Sequence, residues 1–287
     1  MQQEAWYREW QSPEHAVSFD IRAGLDLRNL IRNFESFNDV RLLNERLQAR
    51  RSTTLLEIGC ATGEFSRYMH ARHPLVRYVG ADISRPAIER AREKYPNDKF
   101  VVTKPEMTLP ETVEKVGMLA QPDLIYSKDV VHHQVHPYEL LEEMIAAATE
   151  MVVIRTRTRD HGTTELDVER SCQYHYGGWM PFLVFNIDEL IARIRKVSPE
   201  SEVVAYRHHM TLGGKHNRFV PKELYLKETG CAETAVGIFK RSSQPGRVVI
   251  EDRPDERPVY TLQYRLRHAL RQSLDALTPQ SPSNGHG

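Results

Sequence analysis

Residues Thr53 to Glu64 read TTLLEIGCATGE, and the interpretation of this stretch decides the fold. Thr53 to Glu57 is a β-branched and leucine run ending in an acid, the pattern of a buried strand. Gly59, Ala61 and Gly63 follow as a turn without bulky side chains, and Phe65 to Arg72 reads as a helix. So bare a backbone lets a ligand approach closely, and free amides at a helix N-terminus favour polar or anionic groups. A glycine turn of this kind is shared by several nucleotide-binding folds, so the residues downstream must say which.

The next strand, Val76 to Ala81, ends in Asp82. An acid about twenty residues beyond such a turn is placed to bond a ribose diol, because a carboxylate accepts from both hydroxyls. Ser84 then reads as an N-cap and Pro86 as a first-turn residue, with a helix through Lys94. A third strand, Lys99 to Thr103, runs into Lys104, Pro105, Glu106 and Met107. A fourth, Asp123 to Ser127, brings Ser127, Lys128 and Asp129 to its carboxyl end, where open α/β sheets bind ligands. A helix over Tyr138 to Ala148 and a strand over Met151 to Thr156 come next.

The spacing E-x-G-x-x-x-G (Glu57, Gly59, Gly63), the run DISRPAIERAR from Asp82, the third-strand corner and DLIYSKDVVHH from Asp123 occur in this order. Together they resemble the motifs of class I S-adenosylmethionine (SAM) methyltransferases over roughly residues 50 to 240. The resemblance implies a Rossmann-like α/β fold: a seven-stranded, mostly parallel sheet flanked by helices, with the last strand antiparallel. It also implies SAM as cofactor. Glu57, Gly59, Cys60, Ala61 and Gly63 would surround its methionine part and ribose, and Asp82, with Ile83 beside it, would hold the ribose hydroxyls. Glu106 or Met107 would contact the adenine, and Ser127 and Asp129 would lie near the amino acid portion.

The remaining segments are expected to shape the acceptor side. Before residue 50, Leu25, Leu30, Ile31, Phe34, Val40, Leu43 and Leu47 recur at helical spacing, behind Trp6, Tyr7, Trp10 and Phe19. These aromatics either pack on the core or form a helical lid, in which case Tyr7 and Arg22 would touch substrate. His132, His133 and His136 cluster nitrogens but lack zincin spacing, so no metal is expected; His133 suits a general base or a polar wall. The connection 157–186 is far longer than the usual two to about six residues of α/β units, and long connections are often functional. It is rich in aromatics around Gly177-Gly178, and Tyr174, His175, Tyr176 and Trp179 are candidates for a substrate-facing roof, the first three with His133 as candidate catalytic groups. Arg155, Arg157 and Arg159 alternate on one face, either to hold a carboxylate or to be solvated. Asn186 caps a helix over Ile187 to Val197, and Val203 to His209 and Thr234 to Lys240 read as the last two strands, with Tyr206 and His208 near the pocket.

From Arg241 the composition suggests a linker, then a helix over Tyr260 to Leu277 with Leu262, Tyr264, Leu266, Leu270 and Leu274 as an apolar stripe, then a disordered end. That stripe could pack on the domain or on a second copy, giving a homodimer. The organisation is therefore 1–50 lid, 51–240 SAM-binding domain with the 157–186 insertion, and 241–287 appendage.

Of the 287 residues, 39 are lysine or arginine and 39 aspartate or glutamate, so no electrostatic footprint for nucleic acid stands out. The three scattered cysteines, Cys60, Cys172 and Cys231, suggest a reducing compartment, and no apolar run approaches a membrane span. A soluble cytoplasmic enzyme with a small-molecule substrate is the expectation. Methyl transfer is the first chemistry to consider. Cyclisation of SAM's aminobutyrate arm with release of methylthioadenosine, transfer of that arm, and non-catalytic SAM binding remain alternatives.

Overall fold

A computed structural model describes residues 3–18, 20, 22, 24–47, 53–104, 107–118, 121–175, 178–210, 218–219, 230–258, 260 and 262. The strands are β1 (Thr53–Ile58), β2 (Val76–Asp82), β3 (Lys99–Val102), β4 (Leu124–Lys128), β5 (Met151–Arg159), β6 (Cys172–His175), β7 (Gly178–Pro181), β8 (Phe185–Asn186), β9 (Glu202–His209), β10 (Arg218–Phe219), β11 (Ala232–Phe239) and β12 (Val248–Asp252). The helices are α1 (Pro13–Ser18), α2 (Leu27–Glu35), α3 (Asn38–Arg46), α4 (Glu64–Arg72), α5 (Arg85–Lys94), α6 (Leu109–Lys115), α7 (Pro137–Ala147) and α8 (Ile187–Val197), with 3-10 turns at Gln3–Gln11 and Val131–His133.

Alternation along the central strands divides the core between two faces. Leu55, Tyr126 and Val153 pack with Phe34, Phe65, Tyr68 and Ile88 on one side of the sheet. Leu56, Ile125 and Val152 pack with Leu141, Met144, Leu190 and Ile194 on the other. Every residue of β5 is buried, as a central strand covered on both faces requires. The main sheet runs β12-β9-β11-β5-β4-β1-β2-β3, with β8 also pairing on β5. Only β11 lies antiparallel to its neighbours β5 and β9. The mostly parallel Rossmann-like sheet and its late antiparallel strand are thus present, with one strand more along the path than the seven expected. The extra strand is β12, which pairs parallel with β9 and lies inside the run whose composition suggested a linker. Its three strand-favouring residues, Val248 to Ile250, are too few to stand out from the proline- and charge-rich sequence on either side.

The expected caps form. Ser84 accepts from the Ala87 N–H (3.4 Å), and Asn186 accepts from the N–H groups of Asp188 (2.9 Å) and Glu189 (3.0 Å). The 157–186 connection is organised as a β6–β7 hairpin, with β10 pairing on β6 in a separate small sheet. Its Trp179 packs with Trp6 and Cys172, so the N-terminal 3-10 turn and the hairpin close on each other.

Beyond β12, residues 253–258 return across the front of α2 and α3. The Glu256 N–H donates to the Ser36 carbonyl (2.8 Å), the Asn38 N–H to Asp255 Oδ1 (2.7 Å), and the Asp255 N–H to His208 Nδ1 (3.1 Å). This C-terminal strap ends with Tyr260 on the wall of the main cavity. Leu262 is exposed, and the other positions of the apolar stripe proposed for dimerisation lie outside the described residues. Among the described residues no helix is long and apolar enough to cross a membrane.

Candidate functional site

The site is a cavity of about 620 Å³ at the carboxyl ends of β1, β2, β4 and β5, where strand order reverses between β1 and β4. Its first half is backbone. Gly59 sits at φ +81°, and a Cβ there would lie 2.2 Å from Val130 Cγ2; Gly63 sits at φ +76°, where a Cβ would meet the Phe100 ring at 2.7 Å. No side chain fits at either bend, which is why the sequence has glycine at both. Ala61 is also in the left-handed region (φ +47°), and its N–H donates to Asp82 Oδ2 at 2.8 Å. Asp82 Oδ1 in turn accepts from the Ser84 N–H (2.7 Å). Asp82 therefore fastens the bend to the tip of β2 while lining the cavity. Burial pushes its carboxyl up, and the backbone N–H donors pull against that shift.

Glu57 is buried at the carboxyl end of β1 and accepts a hydrogen bond from the Tyr78 hydroxyl. Burial pushes its carboxyl up to about 8, only partly opposed by that hydroxyl, with the Asp82 charge adding to the rise. Cys60 is buried and its thiol is likewise pushed up, which makes it packing rather than a nucleophile. Glu57, Gly59, Cys60, Ala61, Asp82, Ile83, Met107 and Asp129 all line the cavity. Ser127 does not. It is fully buried behind the wall, and its hydroxyl donates to the Ile58 carbonyl (3.0 Å). Gly63 shapes the start of α4 from outside the lining set. Glu106 lies outside the described residues.

The second half is made of side chains from distant segments. Arg157 pairs with Asp129 (2.9 Å) and Glu233 (2.8 Å). Arg155 reaches Glu233, Asp255 (3.1 Å) and Asp39 (3.6 Å). Both arginines are buried, so the solvated alternative for them is excluded. Burial alone would raise Asp129, but the Arg157 and Arg155 guanidiniums hold it far below the usual carboxylate range. Lys128 Nζ lies 3.6 Å from the centroid of Phe37, and Arg155 lies over the same ring. Phe182, Met180 and Gln173 of the roof and Tyr260 of the strap complete this chamber.

The lid crosses both halves. Gln11 donates to the Ile83 carbonyl (2.8 Å), and Trp10 lines the cavity with its ring 5.4 Å from that of His133. Tyr7 does not reach the cavity: its hydroxyl accepts from the Val135 N–H (3.1 Å) and donates to Gln134 Oε1 (3.1 Å), locking the lid to the segment after β4. Arg22 lines the cavity, ion-paired to Glu64 at 3.3 Å.

His133 also lines the cavity, with Nδ1 2.6 Å from the Pro181 carbonyl. Such a contact fixes the ring and leaves Nε2 as its other nitrogen. His136 is remote from this wall, near Glu139 at 3.9 Å. Tyr176 lies outside the described residues, and of Tyr174 and His175 only the backbone, in β6, is described. Trp179 is not on the cavity wall, because it is spent on the lid contact with Trp6; Phe185 packs on Tyr138 (5.6 Å) in the core. Tyr206 donates to Glu45 (2.8 Å) and His208 holds the strap, so neither faces the cavity. Lys128, expected from the sequence at the ligand-facing end of its strand, lines the cavity, whereas sequence reasoning missed Phe37, Glu233 and Tyr260 as lining residues.

The chain belongs to the methyltransferase domain family, whose pattern matches residues 29–196. No curated protein matches it in sequence. Its fold is similar to that of phosphoethanolamine N-methyltransferase 2 of Haemonchus contortus, solved with SAM (11% identity, 84% of this chain and 60% of that one, TM-score 0.53). It is also similar to the 1,6-didemethyltoxoflavin-N1-methyltransferase of Burkholderia thailandensis, solved with its substrate and S-adenosylhomocysteine (15% identity, 84% and 92%, TM-score 0.50). A third similar fold comes from the complex of the Haloferax volcanii Trm112 activator with a methyltransferase (12% identity, 84% and 99%, TM-score 0.50).

Proposed function

We propose that this protein transfers the methyl group of SAM to a small-molecule acceptor, without help from a metal. The observation that carries this reading is a single cavity in which the Gly59–Gly63 bend and Asp82 adjoin a chamber covered by lid, roof and strap. The bend leaves room where a Cβ would collide, and Asp82 keeps lone pairs beyond the two backbone donors it accepts, so the residues fit an adenosyl group. Glu57 suits the cationic amino end of the donor, whose charge would draw its raised carboxyl back towards the ionised form, and Ile83 and Met107 suit the adenine side. SAM supplies a methyl carbon already activated by positive sulfur.

The chain's own task is then alignment, exclusion of water and proton removal. Trp10, Met180 and Phe182 give the chamber apolar walls. The carboxylates nearest the acceptor side, Asp129 and Glu233, are committed to Arg155 and Arg157, which leaves them poorly suited as metal ligands. A cavity of about 620 Å³ bordered by lid, roof and strap suits a metabolite, in keeping with the small acceptors named for two of the similar folds.

Incubation with SAM and a metabolite library, followed by mass analysis, tests this function. S-adenosylhomocysteine accumulating with one methylated acceptor is the expected outcome. Methylthioadenosine as the sole product would instead mean attack at another carbon of the same compound.

A further inference from the structure

Lys128 ends β4 on the cavity wall, and its Nζ is buried without a hydrogen-bond partner among the described residues. Buried charges are ordinarily paired, and an ammonium brings three donors and no acceptor. Its closest described companion is a ring. Nζ lies 3.6 Å from the centroid of Phe37, a face that attracts cations, on the side of the chamber where Arg155 shares the same ring. The carboxylates around it are engaged elsewhere. Asp129 and Glu233 are held by Arg157, Asp255 by Arg155 and Arg41, Asp39 by the Tyr126 hydroxyl and Arg155, and Glu64 by Arg22. None comes within ion-pair distance of Nζ.

With Lys128 counted as an ammonium, the cations at this end (Arg22, Arg41, Lys128, Arg155, Arg157) are as many as those carboxylates, and Glu256 on Arg41 is exposed to solvent. The charge on Lys128 is thus supported by its surroundings, and what Nζ lacks is a partner in contact. On the methyl-transfer reading the neighbouring half also receives a positive sulfur, whose charge favours an anion in the chamber over a cation. The walls beside Nζ are flat or apolar, from Phe37, Phe182, Met180 and Tyr260. We infer that Lys128 is the anchor for a carboxylate on the acceptor, and that the acceptor is a compact aromatic acid whose ring lies against these walls. This rests on the methyl-transfer reading. Burial pushes Lys128 down to about 8, and below that pH the ammonium predominates. The methionine part of SAM offers the same carboxylate chemistry, so the test has to separate the two sources.

The first measurement needs no turnover. Protein saturated with S-adenosylhomocysteine is titrated in a calorimeter with aromatic acids and their matched amides: benzoate and benzamide, salicylate and salicylamide, indoleacetate and indoleacetamide. At least one acid should bind at least about tenfold more tightly than its amide, as a charge-assisted hydrogen bond implies, and Lys128→Met should remove the difference. Amides binding as well as acids, no binding by any acid, or an unchanged preference in the variant overturns the proposal. S-adenosylhomocysteine itself should bind wild type and Lys128→Met alike. A loss of its affinity in a variant that melts like the wild type would assign the anion to the donor's own carboxylate and overturn the acceptor assignment. Lys128→Gln takes the place of Lys128→Met if the latter melts early. Failure of S-adenosylhomocysteine to bind the wild type would instead strike the methyl-transfer reading, and the same pairs titrated into the free protein would still judge Lys128. The second measurement uses turnover of whichever acid binds. Lys128→Met should raise the KM for that acid at least about tenfold while changing kcat less. A fall in kcat at unchanged KM would place Lys128 in the chemistry and contradict an anchoring role.

Discussion

The two halves of the cavity are built by different means. On the proposed donor side, Glu57, Gly59, Ala61, Asp82 and Ile83 come from two adjacent parallel strands and the bends that leave them. On the proposed acceptor side, Phe37, Lys128, Arg155, Gln173, Phe182, Glu233 and Tyr260 come from seven separated stretches that meet only because the sheet, roof and strap bring them together. The first half works through backbone geometry that tolerates almost no substitution. The second works through paired charges, and so depends on every partner being present.

That contrast orders the expected effects of mutation. Arg155→Met would remove the guanidinium shared by Asp39, Glu233 and Asp255, leaving Glu233 to Arg157, Asp255 to Arg41 and buried Asp39 to the Tyr126 hydroxyl, and breaking such buried pairs typically costs about 3–5 kcal/mol. Urea denaturation should register this as the largest loss of stability of any single change at the site. An unchanged midpoint would mean that the network is decorative. Gly59→Ala combines a positive-φ alanine with a clash against Val130, so about 1–3 kcal/mol of stability should go. The affinity for S-adenosylhomocysteine should fall steeply with it, since relief of the clash has to move the bend itself. Normal binding by the variant would mean that the bend can shift without disturbing the donor half.

Glu57 gives the pH dependence. Its folded-state carboxyl is raised from 4.5 to about 8, so the neutral form is the one the fold favours. The stability it contributes is fully present below about 4.5 and is lost as pH rises through about 8. Glu57→Gln should therefore narrow the fall in melting temperature between pH 6 and 9, and equal slopes for the two proteins would contradict the assignment. The smallest effect expected is that of Tyr7→Phe. It removes the hydroxyl that bridges the Val135 N–H and Gln134, about 1 kcal/mol, and should show as faster release of S-adenosylhomocysteine in stopped flow with the fold intact.

The same contrast explains what the sequence could disclose. The β1 turn, Asp82 with its Ser84 cap, and the Asn186 cap are local patterns, each readable within a few residues. The strand β12 was hidden because Val248–Ile250 is short and flanked by charge and proline. Ser127 looked like a ligand residue because of its place at a strand end, yet alternation turns it behind the wall and brings Lys128 forward. Trp179 and Tyr7 carry the chemistry of a binding surface but are consumed in fastening roof and lid. Glu233 and Tyr260 had no local signal at all, since their relevance arises only from pairing across the sheet and the return of the strap.

The central claim, that Asp82 and the glycine bend form the seat of the adenosyl group, is tested most directly by calorimetric titration of S-adenosylhomocysteine into the wild-type protein and Asp82→Asn. The asparagine retains one acceptor oxygen for the backbone donors but loses the carboxylate's capacity for the ribose. Saturable one-to-one binding to the wild type and at least about tenfold weaker binding to the variant, as losing a charge-assisted hydrogen bond implies, is the predicted result. Equal affinities, or no binding to the wild type, would contradict it.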